Sequence, residues 1–191
     1  MLSRTAQHVL LDASPLCRFA ECSLLGALRE YLGSRARITR EVERELLRLA
    51  ERDAFASLAE HLRPQARAIG RGTWPKTTKP LPDGLKADFA NLLALKHAIG
   101  AHEWAHTGEI ATVLIAEHRG ADLVLIDDGW GAGLARGRGL RVMSTARLAM
   151  EMAVVGALSE DSGYRVFDAS TPDGVGRRRY DVGLSQLRSA G

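Results

Sequence analysis

Ala121-Asp122-Leu123-Val124-Leu125-Ile126-Asp127-Asp128 is the stretch that decides the fold. Its apolar run is short, rich in strand formers and ends abruptly on two carboxylates, as in a strand buried on both faces. Upstream, His8-Val9-Leu10-Leu11-Asp12-Ala13 repeats the plan, an apolar run that stops on an acid. Ser14-Pro15 then supplies an N-cap and an N1 proline, the opening of a helix. Leu16, Phe19, Ala20, Leu24, Leu25 and Leu28 continue at helical spacing, and Gly33 closes the segment.

Working outward, Ala36 to Thr39 reads as a second short strand, and Thr39 caps a helix with Val42, Leu46, Leu47 and Ala50 on its apolar stripe. That helix is read as running toward Leu62 with a break near Asp53. Arg63 to Asp83 has prolines and threonines but no hydrophobic period, so it reads as a long loop or arm. Leu85 to Ile99 and Thr107 to His118 read as helices, stopped by Gly100 and Gly120. After Asp128 come a glycine-broken helix (Gly129 to Gly139), a short strand (Leu140 to Met143) and an apolar helix (Thr145 to Leu158). Strands alternating with helices predict an α/β fold: a parallel twisted sheet of about four to five strands, helices on both faces, right-handed crossovers. The expected division is a domain over 1–158, with the 63–83 arm inside it, and a C-terminal extension over 159–191. From Ser159 the pattern weakens, and that extension is expected to be partly flexible and ordered against a partner.

With 191 residues the chain suits one domain with a real core. No apolar run approaches the roughly 20 residues of a membrane span, and the amino terminus lacks a secretory h-region, so the expected compartment is the cytoplasm. Cys17 and Cys22 lie within one expected helix and read as free thiols. The net charge of +3 is unevenly spread. No acid falls between Glu60 and Asp83, where Arg63, Arg67, Arg71, Lys76 and Lys79 cluster, and Arg177-Arg178-Arg179 lie near the end. Such patches suit a polyanion, or simple solubility.

In an open parallel sheet, sites form beyond the carboxyl ends of the strands. Asp12 and Asp127 each stand where a strand stops, so both reach toward one crevice. Crowded carboxylates repel, and a bound cation relieves them; magnesium or manganese suits an all-oxygen site. For Glu45 the residues alone leave open a solvated helix acid pairing with Arg44 or Arg48. For Glu109 they leave open an acid favoured by the dipole in a first helical turn.

These pieces resemble, in order and spacing, the acidic segments of PIN-domain proteins. Val9-Leu10-Leu11-Asp12-Ala13-Ser14-Pro15-Leu16 is similar to the first, and Ile38-Thr39-Arg40-Glu41-Val42-Glu43-Arg44-Glu45-Leu46 to the second. Gly108-Glu109-Ile110-Ala111-Thr112-Val113-Leu114-Ile115-Ala116 resembles the third, the 120–128 run the fourth, and Gly139 to Thr145 the strand that follows. The resemblance spans about residues 8–158 and implies a Rossmann-like PIN fold acting as a magnesium- or manganese-dependent ribonuclease. It further implies Asp12, Glu45, Glu109 and Asp127 as the catalytic acids, with Asp128 competing with Asp127 for the fourth place. Asp12, Glu109, Asp127 and Asp128 would hold metal. Arg71, Lys76, Arg136 and Arg138 are the expected contacts to the RNA backbone. VapC-like members are toxins paired with an antitoxin, and many are homodimers; both partners are expectations here. The alternative is a PIN fold that binds RNA or protein without cutting.

His102-Glu103-Trp104-Ala105-His106 formally matches the H-E-x-x-H zinc-protease signature. That chemistry needs both histidines on one continuous helix. Gly100 before and Thr107-Gly108 after make the segment a connection between helices, so surface histidines near a turn are the preferred reading. Histidines that flank the acidic cleft and touch phosphate are a third. Trp74 and Tyr180, next to basic residues, are candidates for base stacking, with simple packing the favoured role.

Overall fold

The computed structural model describes residues 2–51, 74–98, 106–171 and 176–190. A five-stranded, all-parallel sheet lies at the centre, ordered β3-β2-β1-β4-β5. Its strands are β1 (Val9–Leu11), β2 (Ala36–Ile38), β3 (Lys76–Thr77), β4 (Leu123–Leu125) and β5 (Val142–Met143). Val9 pairs with Ala36 on one side and Leu123 on the other, and Leu10 with Arg37 and Val124. The α/β architecture expected from the sequence is therefore the one observed.

Side-chain alternation along the central strands feeds a separate core on each face. Val9, Leu11, Leu123 and Leu125 pack with Leu16, Phe19, Leu28, Val42, Leu46 and Leu148. Leu10, Val124 and Ile126 pack with Ile115, Ala116 and Ala132. The first core draws on α2 (Ala13–Glu21), α3 (Leu25–Leu32), α4 (Arg40–Leu49) and α8 (Thr145–Val154), and the second on α6 (Thr107–Arg119) and α7 (Gly129–Gly137). Among the described residues there are also a short α1 (Leu2–Thr5) and α5 (Lys86–Ala98). Each core leucine adds roughly 1.5–3 kcal/mol by leaving water.

Helix starts follow local chemistry. Thr39 caps α4 by accepting from Val42 N at 3.2 Å, and Ser144 caps α8 by accepting from Arg147 N at 3.2 Å. Gly120, at φ 62°, ends α6 in the left-handed conformation that glycine adopts without steric cost.

The structure corrects several expectations. The single helix read from Ser14 to Gly33 is two, α2 and α3, separated where Ser23 takes φ 58°. Lys76–Thr77, read as loop, forms edge strand β3, in register with Arg37 and Ile38. Trp74 is buried, and its indole N–H donates to Gly33 O at 2.8 Å, so it packs and does not offer a stacking face. Tyr180 is fully buried between Tyr164 and Phe167, with ring centroids at 5.6 and 5.3 Å. The weakly patterned end is helical: α9 (Glu160–Ala169) and α10 (Gly176–Ser189) pack on α8 through Phe167, Tyr180 and Leu184. Cys17 and Cys22 are free, as the sequence led us to expect, and burial pushes the Cys17 thiol up to about 12. The expected run of α4 beyond residue 51 and most of the 63–83 arm, Arg71 included, lie outside the described residues.

Candidate metal centre

The chain leaves β1 outward to β2 and β3, then returns to β4 and β5 on the other side. The switch point between β1 and β4 is where an open α/β sheet leaves a crevice at its carboxyl edge. Asp12 follows β1 directly, its N–H donating to Leu125 O at 2.9 Å, which ties it to the end of β4. Its side chain is buried, with Ser14 Oγ donating to Oδ2 at 3.3 Å. Burial, then the nearby Glu45 carboxylate, pushes its pKa up to about 7.

Three further acids line the same crevice, Glu45 and Glu109 near Asp12 and Asp128 near Glu109. Gly108, opening α6, lets them approach: a methyl placed there would stand 3.0 Å from Glu45 Oε2 and 3.5 Å from Asp12 Oδ1. Glu45 keeps an exposed flank while its carboxylate turns inward, and the partial burial raises its pKa against the pull of Arg48. Glu109, in the first turn of α6, lies against the start of α7, where a methyl on Gly131 would come 3.3 Å from Oε2. Burial, then Asp12 and Asp128, pushes its pKa up to about 8, despite Lys96. Asp128 caps α7, accepting from Gly131 N at 2.8 Å, and forms a group with Glu109 and His106 whose ligand atoms lie within 4.8 Å of one another.

Asp127 goes elsewhere. Its carboxylate accepts from Thr145 N and Thr145 Oγ1, both at 2.7 Å, at the start of α8, and Arg18 is its nearby cation. Burial still raises its pKa, ahead of those hydrogen bonds. Consecutive residues at a strand end face opposite sides of the sheet, so only one of the pair can join the α6–α7 side. Geometry puts Asp128 there.

His106 Nδ1 stands 3.0 and 2.9 Å from the two Glu109 oxygens. The spacing is that of an ion pair, yet the shifts run toward neutrality on both sides. Burial, then Lys96, lowers the imidazole pKa, while the Glu109 value sits near 8. Lys96 is buried, its ammonium 4.5 Å from the Trp130 ring centre. Lys96 was not among the expected site residues, although a lysine directly after the apolar run Leu92-Leu93-Ala94-Leu95 was an available signal; His106 was expected there only as one of the histidines flanking the acidic cleft.

His106 also bears on the protease alternative. It precedes α6 with φ 72°, a left-handed residue through which no helix continues. The second histidine of the motif therefore lacks its helical frame; residues 102–105 lie outside the described residues.

The expected RNA contacts fall apart in space. Arg136 is exposed in the last turn of α7 and Arg138 pairs with Glu117 in the last turn of α6, at the ends of helices that start at the crevice. A nine-residue α7 carries them roughly 13 Å away at 1.5 Å per residue. Lys76 is exposed on edge strand β3. Among the described residues, cations near the acids include Lys96 by Glu109, Arg18 by Asp127 and Arg48 by Glu45. A cleft of about 370 Å³ runs on from Glu45 and Thr107, lined by Glu41, Arg44, Arg48, Phe89 and Leu93.

Asp12, Glu45, Glu109 and Asp128 fit a hard divalent cation, because they are oxygen donors whose burial and mutual repulsion only neutralisation relieves. No curated protein and no solved structure gave a significant match to the chain. A family model described as a PIN domain matches residues 8–163, most of the chain, over the whole sheet and every acid just placed, and the chain belongs to that family.

Proposed function

We propose that the chain is a magnesium- or manganese-dependent endoribonuclease. The metal-holding residues are Asp12, Glu109 and Asp128, with Glu45 on the rim of the same crevice. What carries the reading is the convergence of these carboxylates at the switch point of a nuclease-type fold, with buried Lys96 beside them. When bound, magnesium or manganese supplies charge neutralisation at the scissile phosphate and an activated water. The protein's own residues orient the substrate. Lys96 offers its ammonium to a phosphate oxygen, Arg44 and Arg48 line a path for the backbone, and Phe89 and Leu93 give an apolar wall for a base. Asp127, the other candidate for the fourth acid, fixes the end of β4 against α8 through Thr145.

The likeness to VapC-like proteins extends the proposal to a toxin held by an antitoxin, and to a homodimer. A small DNA-binding protein encoded next to this chain, with co-purification, is the corresponding check. For the chemistry, end-labelled single-stranded RNA with added manganese should be cut, cutting should stop with chelator, and Asp12→Asn should lower the rate by at least about a hundredfold. Undiminished cutting by that variant would remove Asp12 from the reaction. No cutting by the natural protein, with metal bound, would favour the alternative of a binding module.

A further inference from the structure

The acids of the crevice do not stand alone: an imidazole is aimed among them. His106 Nδ1 is 2.9 Å from Glu109 Oε2, and His106, Glu109 and Asp128 each offer a ligand atom within 4.8 Å of the others. That is a span an ion with bonds of about 2.1 Å bridges after small side-chain adjustment. The donors come from the starts of two helices that diverge from the crevice, α6 and α7.

The ring is also held before any ligand arrives. His106 O accepts from Ile110 N at 3.0 Å, so the residue anchors the first turn of α6. Its backbone sits at φ 72°, uncommon for a residue with a side chain, and its ring tilts against Trp130 at 6.4 Å between centroids. Trp130 in turn carries the Lys96 ammonium on its face.

Resting on the metal-site reading above, we infer that His106 is a nitrogen ligand of this centre, giving a mixed nitrogen–oxygen set that prefers manganese(II) to magnesium. Magnesium demands oxygen donors and parts reluctantly with water, whereas manganese and the later transition ions accept imidazole. The acids set the charge of the site, and the imidazole sets which ion it keeps.

Pulsed electron paramagnetic resonance on the full chain with one equivalent of manganese reads this directly. The expected result is nitrogen modulation from a bound imidazole, abolished in His106→Gln. In calorimetry the same variant should lose about tenfold in manganese affinity while magnesium affinity changes less than about threefold. Manganese bound without nitrogen modulation in the natural protein overturns the inference and leaves the carboxylate site standing; so does modulation that survives His106→Gln. Absence of any manganese binding overturns both. The measurement on the natural protein decides even if the variant does not fold.

Discussion

Asp12 is a carboxylate kept where a carboxylate is poorly tolerated, and its energetics run against the fold. Its pKa of about 7 and that of Glu109 of about 8 lie above their ordinary values of 3.8 and 4.5. The folded state thus holds protons that the unfolded chain releases. The metal-free protein is relieved below about pH 4 and loses stability as pH rises from there to about 8, with no further change from these groups above it. In Asp12→Asn the Asp12 share of that loss disappears. With chelator present, the variant's stability relative to the natural protein should therefore rise by on the order of 2–3 kcal/mol between about pH 5 and about pH 8, measured by denaturant unfolding. A difference that shrinks with pH would contradict the burial of Asp12. Acids at strand ends could be found in the sequence because the physics of a sheet edge is local. The division of labour between Asp127 and Asp128 was also within reach, since period-two alternation sends neighbours to opposite faces. Lys96 and Thr145 were not, because each enters the site through the packing of helices distant in sequence.

At the scale of elements, strands and the helices around them were legible wherever an apolar run met a capping residue, as at Thr39 or Ser144. The failures have physical causes. The α2–α3 break sits inside a continuous apolar stripe and depends on one left-handed serine, Ser23. Strand β3 is two residues long and is defined by its neighbour β2 more than by its own composition. Tyr180, Leu184 and Leu187 do stand at helical spacing, but the arginines before them mask the stripe. The packing of α9 on α8 and α10 depends on a missing side chain: a methyl on Gly163 would run into the Tyr180 hydroxyl of α10 and fall 3.0 Å from the Ala153 side chain and 3.3 Å from Ala149 O of α8. Gly163→Ala should therefore cost about 1–3 kcal/mol. In a thermal melt that is a fall of roughly 2–4 °C for each kcal/mol, with metal affinity unchanged. An unaltered melting temperature would mean that α9 and α10 are not packed on α8 in this way.

At the scale of the whole molecule, strand order makes the site. With β1 central and the chain switching sides between β3 and β4, the crevice must open at the ends of β1 and β4, where Asp12 and Asp128 stand. The same topology removes Arg136 and Arg138, because a helix that starts at the carboxyl edge of a parallel sheet runs back to the other edge. Charge along the sequence and the order of strands thus point to different places: Arg136 and Arg138 stand apart from the crevice in which the acids gather. The most direct test of that centre is a calorimetric titration of manganese into the natural protein and Asp12→Asn at about pH 7, in two buffers of different ionisation enthalpy. The account predicts binding by the natural protein with release of about one to two protons per ion, and at least a tenfold loss of affinity in the variant. Matching isotherms for the two proteins, or no binding by either, would contradict it.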